Sequence, residues 1–182
     1  AQVIYTYQNG AGAALPTTIP ENVCTATAGG IVRTFTVPET FSVNGAGAIA
    51  LGIDITHTDR EQVRIWLDPP GASPAIQVTP GLDDGTDRSN NYRVMFSSNA
   101  DTGNVLDDGS DDPVVGGGTV LYRRLVTVAG LDGYTGAVNG DWTLRVCDID
   151  TDGDLGTLNS ARLVLRHALG SVSTATCGNT SS

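Results

Sequence analysis

Apolar and polar residues alternate along most of this chain with a period of two, which sends successive side chains to opposite faces of an extended strand. Ile49, Leu51, Ile53 and Ile55 share one face of a strand predicted over residues 48–56. Val63, Ile65 and Leu67 share one face over 63–67, with Arg64 and Trp66 on the other. Residues 32–37 (VRTFTV) alternate cleanly, as do Trp142, Leu144 and Val146 against Thr143, Arg145 and Cys147. Shorter strands are predicted at 3–8, 76–78, 92–96 and 163–166, and one or two within 120–128. Pro69-Pro70-Gly71 marks a strong turn. Helical periodicity is nearly absent. About nine short strands without a helix of consequence predict an all-β domain, two antiparallel sheets packed face to face. A jelly roll is one arrangement of such a β-sandwich and the immunoglobulin-like sandwich another; the alternation alone does not separate them.

The strands divide the chain into three parts. Residues 19–168 hold the sandwich. Residues 1–18 precede it as an N-terminal extension whose strand-like stretch, with Tyr5 and Tyr7, suits a donor or edge strand. Residues 169–182 form a small, polar C-terminal tail in which Asn179-Thr180-Ser181 fits a glycosylation sequon.

Composition agrees with this organisation and narrows the partners. The 182 residues include 23 glycines and only 16% charged residues, a mixture that suits strands joined by tight turns. All ten basic residues are arginine, and the net charge is −10. Such a surface repels nucleic acid and anionic lipid. The longest apolar stretch, 46–55, is broken by Gly47 and Gly52 and is too short to span a bilayer. The start Ala1-Gln2-Val3 suits a mature N-terminus after signal cleavage, so a secreted or cell-surface location is expected.

The acids are clustered: Asp83, Asp84 and Asp87; Asp107 and Asp108 with Asp111 and Asp112; and Asp148, Asp150, Asp152 and Asp154. The last group reads D-I-D-T-D-G-D. Alternate carboxylates followed by glycine can curl around a Ca²⁺ ion, which takes about six to eight oxygens. An EF-hand would place Glu where Asn159 stands, so a different type of calcium loop is expected, with Asp148, Asp150, Asp152 and Asp154 as its ligands. The competing reading is an acidic turn in which Asp148 caps backbone amides.

Other chemistry is sparse. The three cysteines, Cys24, Cys147 and Cys177, form no CxxC, and with only His57 and His167 available a zinc site is not expected. Neither histidine sits in a motif of a nucleophilic triad, so the chain is expected not to be an enzyme. His57 is expected to bond a turn backbone, with Asp54 or Asp59 nearby. Trp142 lies in phase with Leu144 and Val146 and reads as core; Trp66 lies on the opposite face from Val63 and Ile65.

Four segments occur in an order that resembles a known family. They are Ile19-Pro20-Glu21-Asn22; Ile53-Asp54-Ile55-Thr56-His57-Thr58 followed by Val63-Arg64-Ile65-Trp66-Leu67 and Pro70-Gly71; Asn91-Tyr92-Arg93-Val94-Met95-Phe96; and Gly140-Asp141-Trp142-Thr143-Leu144-Arg145-Val146-Cys147-Asp148 with Gly153-Asp154-Leu155-Gly156-Thr157-Leu158-Asn159-Ser160. The set is similar to the P domain, or Homo B domain, that accompanies subtilisin-like proprotein convertases, in its bacterial secreted or surface form. The resemblance implies a jelly roll, no catalytic activity of its own, a protein partner and, as in many members, bound calcium. It also implies a Cys24–Cys147 disulfide, against the competing pair Cys24–Cys177. Four departures stand out. Glu61-Gln62-Val63 replaces G-D-L, Asn90 stands where an Asp is common, Ser97-Ser98 replaces an acidic pair, and Ala161 replaces an aromatic residue.

Two functions follow as expectations. One is a non-catalytic, calcium-stabilised extracellular interaction module that partners a protease domain. The other is a self-assembling secreted or surface subunit, a filament that uses its N-terminal segment for strand exchange between copies.

Overall fold

The structure, a computed structural model, describes residues 1–81, 85, 89–97, 112, 124–126 and 128–170. Ten strands occur among them: β1 (Gln2–Gln8), β2 (Thr17–Ile19), β3 (Ile31–Val37), β4 (Ile49–Thr56), β5 (Val63–Asp68), β6 (Ile76–Pro80), β7 (Tyr92–Phe96), β8 (Arg124–Val126), β9 (Gly140–Asp148) and β10 (Gly156–Ala168). A 3₁₀ turn at Arg60–Gln62 precedes β5, and one short helix, α1 (Ala129–Gly133), precedes β9. One sheet runs β1-β10-β4-β7-β8, with β2 also paired to β10; the other runs β3-β9-β5-β6. All pairs are antiparallel except β7 with β8.

The two sheets bury their alternating apolar sets against each other, as the period-two pattern predicts. Ile49, Leu51, Ile53 and Ile55 from the first sheet and Val63, Ile65 and Leu67 from the second join one core with Trp142, Leu144 and Val146. β4 is buried on its second face too, where Ala50, Gly52 and Asp54 lie. β10 is far longer than the predicted 163–166. Its first half, Gly-Thr-Leu-Asn-Ser, carries turn-forming residues yet pairs with β2 and β4. The register shifts between Leu158 and Ser160, so Asn159 sits at a bulge. Of the predicted 120–128 segment, the described residues show β8; β2 had no sequence signal beyond three residues of Thr and Ile.

The N-terminal segment is built into this sandwich. β1 pairs with β10 over its whole length, and Val3, Tyr5 and Tyr7 turn inward while Ile4 stays exposed. The loop after β1 crosses to the second sheet. There Arg33 of β3, itself buried, donates from its guanidinium to the carbonyls of Asn9, Gly10 and Ala13. Gly10 permits the approach: its φ is +62°, and a Cβ would stand 2.7 Å from the Thr34 carbonyl oxygen. Burial lowers the pKa of Arg33 from its ordinary value. The Tyr7 hydroxyl donates to Glu39. Burial first, then that hydrogen bond and the Glu39 charge, push the phenol pKa well up.

A Cys24–Cys147 disulfide ties the segment before β3 to the end of β9, across a sequence separation of 123. Cys177 lies outside the described residues.

Two measurements test these attachments. Replacing both bridged cysteines, Cys24→Ser with Cys147→Ser, should lower the unfolding free energy by about 2–5 kcal/mol, because a long loop is released in the unfolded chain. Urea midpoints read this directly, and an unchanged midpoint refutes it. The raised Tyr7 pKa favours the neutral phenol in the folded state, so its contribution is full below pH 10 and is lost as pH rises above it. Tyr7→Phe should therefore flatten the alkaline fall in melting temperature; parallel curves for the two proteins would contradict this.

Candidate functional site

One end of the sandwich gathers polar side chains that are scattered in the sequence. The loop after β4 meets the start of β7, Asp112, and the acidic loop that follows β9.

His57 is the centre of this cluster and is buried. Its Nδ1 accepts the Asp59 backbone N–H at 3.0 Å. The ring proton therefore belongs on Nε2, which donates to Asp148 Oδ2 at 2.8 Å. The bond to a turn backbone near Asp59 is as expected, but the carboxylate partner is Asp148. Asp54 instead pairs with Arg93 at 4.0 Å and accepts from Asn159 Nδ2 at 3.1 Å. Burial raises the Asp54 pKa above the usual carboxylate range, against those two interactions. The β10 backbone closes over the imidazole: a Cβ on Gly156 would lie 2.4 Å from His57 Cδ2.

The four aspartates of the predicted calcium loop are divided. Asp148 is fully buried; its Oδ2 serves His57 and its Oδ1 caps the Asp150 N–H at 3.0 Å. Asp150 and Asp152 point to a common neighbour, the Gln62 amide, whose Nε2 lies 3.1 Å from an oxygen of each. The carboxyl of Asp152 is held below the usual range by the Asp154 backbone N–H and then by Gln62. Asp154 is exposed. Across the loop, Gly153 N–H donates to Glu21 at 2.7 Å. Among the described residues, no three His, Cys, Asp or Glu side chains stand together as a metal-binding group. Gln62 is buried, and its Oε1 is a buried atom without a hydrogen-bond partner.

A second set of buried charges supports the loop from behind. Arg60 is fully buried 3.8 Å from Asp112, and Tyr92 donates its hydroxyl to the Arg60 carbonyl. Asp112 also accepts the Arg93 backbone N–H, and Asn91 donates to its carbonyl. Sequence patterning assigned Arg60, Gln62, Asn91 and Arg93 no role at this site, although Asn91 and Arg93 stand in a segment that carries the family resemblance and Gln62 in one of its departures. Their partners lie 19–90 positions away in the chain, so only the folded topology reveals them. Asp83, Asp84, Asp87, Asp107, Asp108 and Asp111 lie outside the described residues.

The remaining candidates have structural places. Trp142 is in the core, donating its indole N–H to Val138 and meeting Tyr134 edge-on at 5.3 Å. Trp66 is half-buried on the outer face of its sheet. His167 stacks on Phe41, with ring centroids 4.3 Å apart.

No family model matches the chain, and no curated protein matches its sequence. Solved structures do share its fold. The chain is similar to a serine protease of Aeromonas sobria, with a TM-score of 0.53 and 12% identity over 92% of this chain and 27% of that one. It is also similar to a chain in the complex of the Aeromonas sobria serine protease with the chaperone ORF2, with a TM-score of 0.50 and 10% identity over 93% of this chain and 28% of that one. This chain thus corresponds to little more than a quarter of the length of those chains. No helix among the described residues is long and apolar enough to cross a membrane.

The contact between β10 and His57 gives a direct test of how rigid this end is. Gly156→Ala should destabilise the fold by about 1–3 kcal/mol, the cost of forcing an atom into a packed region. Gly133→Ala, with nothing within 4 Å of the added atom, should be close to neutral. Thermal melts of the two variants check the contrast; equal effects would mean that His57 yields freely.

Proposed function

We propose that this chain is a non-catalytic extracellular interaction module, a jelly roll of the P-domain type that works beside a subtilisin-like catalytic domain. The observation that carries this reading is the fold likeness. Nearly the whole chain matches a domain-sized part of a protease several times its length. The strand orders β1-β10-β4-β7 and β3-β9-β5-β6 support the jelly-roll connectivity. The ordered motifs over 19–168 support the P-domain type. The disulfide supports an oxidising, extracellular setting. Both histidines are committed to structure: His57 has both ring nitrogens bonded, and His167 is stacked. That supports a non-catalytic role.

Calcium belongs to this reading as a stabiliser. Among the described residues the arrangement that suits it lies between Asp150, Asp152 and Gln62. In that position an amide nitrogen lies between two carboxylates, and the unpartnered oxygen belongs to the same amide. Turning the amide over would give the ion three protein oxygens, with water completing the shell. Asp148 stays with His57, and Asp154 is the outer acid of the loop. A bound ion would tie the loop after β9 to the turn before β5.

A second reading is the self-assembling subunit. β1 favours it, because among the described residues it is the terminal strand of its sheet.

The intact mass of the native protein tests the first reading. A mass exceeding 18.8 kDa by that of a catalytic domain is expected; a native mass near 18.8 kDa removes the covalent protease partner. For calcium, melting temperature should rise by several degrees with the ion at about 100 times its dissociation constant, and fall back with chelator. Asp150→Asn with Asp152→Asn should abolish the rise. No calcium response in the parent protein would leave an ordinary acidic turn.

A further inference from the structure

β1 is an unusual edge strand. Among the described residues it pairs only with β10, and its other side is the end of the sheet. Natural edge strands are shielded by charge, proline, a bulge or short length. β1 has seven residues, Gln-Val-Ile-Tyr-Thr-Tyr-Gln, with none of these devices, and Ile4 is 56% exposed.

The ladder shows which backbone groups face outward. Asn9 N–H donates to the Ala161 carbonyl, and Leu169 N–H to the Ala1 carbonyl. In the continuous β1–β10 register, this makes odd-numbered residues the hydrogen-bonded pairs. The N–H and C=O groups of Gln2, Ile4 and Thr6, and the N–H of Gln8, therefore point away from β10. The Gln8 carbonyl is taken by Gly10 N–H. Beside this edge a groove of about 420 Å³ separates β1 from β3, lined by Thr6, Tyr7, Gln8, Ala11, Thr34 and Thr36. Among the described residues, the side of the sandwich is thus open between β1 and β3.

The sequence of β1 is close to self-complementary about Tyr5. Laid antiparallel on a copy of itself, Gln2 faces Gln8, Val3 faces Tyr7, Ile4 faces Thr6, and Tyr5 faces Tyr5. That register places the outward groups of Ile4 and Thr6 opposite each other as hydrogen-bonded pairs. It also joins β-branched and aromatic residues across the seam. Charge singles out the same edge. Copies of a chain with net charge −10 repel one another, and β1 carries no acidic or basic side chain.

We propose that β1 pairs antiparallel with β1 of a second copy, centred on Tyr5, making one continuous sheet across a two-fold axis. This deepens the interaction-module reading by naming one surface and its partner. It differs from strand exchange, because β1 stays on its own β10 and under its own Arg33 clasp.

The test is sedimentation of the full chain from about 1 µM to 0.5 mM, after alkylation so that Cys177 cannot cross-link copies. A reversible dimer is expected. Thr6→Pro removes one outward N–H and leaves the β10 ladder intact, since proline is tolerated on an edge. It should weaken association at least tenfold with an unchanged monomer melt. Ile4→Lys adds an edge charge without touching the backbone and should do the same, which keeps the test valid if Thr6→Pro misfolds. A parent protein that stays monomeric throughout overturns the proposal and leaves the protease-module reading to its own mass measurement. A dimer that survives both variants overturns it as well.

Discussion

Every strand of the first sheet reaches its place through β10. β1 and β2 bond to one of its edges and β4 to the other; β7 bonds to β4 and β8 to β7. A strand in this position must satisfy its backbone groups on both sides while its core-facing residues, Leu163 and Leu165 among them, stay buried. β10 does so over thirteen residues by means of one irregularity. At the Asn159 bulge the register with β4 slips, and the side chain reaches across to Asp54 and Thr56. A straight strand would keep β4 in one register to its end. The bulge lets Gly156 come down on His57 at the same end of the molecule.

That end concentrates the electrostatic cost of the fold. Arg60, Asp112, Arg93, Asp54 and Asp148 are all buried, and each ion removed from water needs a partner or hydrogen bonds to offset its desolvation. The pairings are interlocked rather than separate: Asp112 serves Arg60 and the Arg93 backbone, Arg93 serves Asp54, and Asp54 accepts from Asn159. Removing one member leaves a neighbouring buried charge with fewer partners, so the group couples the β4–β5 turn to the start of β7 and to Asp112. The disulfide adds a covalent anchor next to Asp148, at Cys147.

The strands that alternate strictly were legible from sequence. β4, β5 and β9 bury the very residues their period-two pattern assigns to the core, because one face meets the opposite sheet. The start of β10 was not legible, since Gly156, Asn159 and Ser160 are residues of turns and only its neighbours make the segment a strand. The acidic loop was legible as chemistry but not as geometry. Its spacing suggests four carboxylates around one point. Yet the direction of Asp148 is set by His57, 91 positions earlier, and that of Asp150 and Asp152 by Gln62. A local pattern carries no information about partners that distant. The Arg33 clasp was equally hidden, because the carbonyls it gathers belong to a loop without distinctive residues.

The clasp and the β1–β10 ladder also order events in time. Among the described strands, β1 is the first to be synthesised, and its ladder partner is the last. At ribosomal rates the roughly 150 residues between them take about seven to thirty seconds to appear. For all of that interval the chain holds an uncharged, tyrosine-rich segment with no sheet to join, and β3 supplies Arg33 before there is a ladder to secure. β1 therefore docks on β10 only after the strands that lie between them in the chain have been made. With β3 already paired to β9, that docking closes only the short connection over residues 9–30 and costs little further loop-closure entropy.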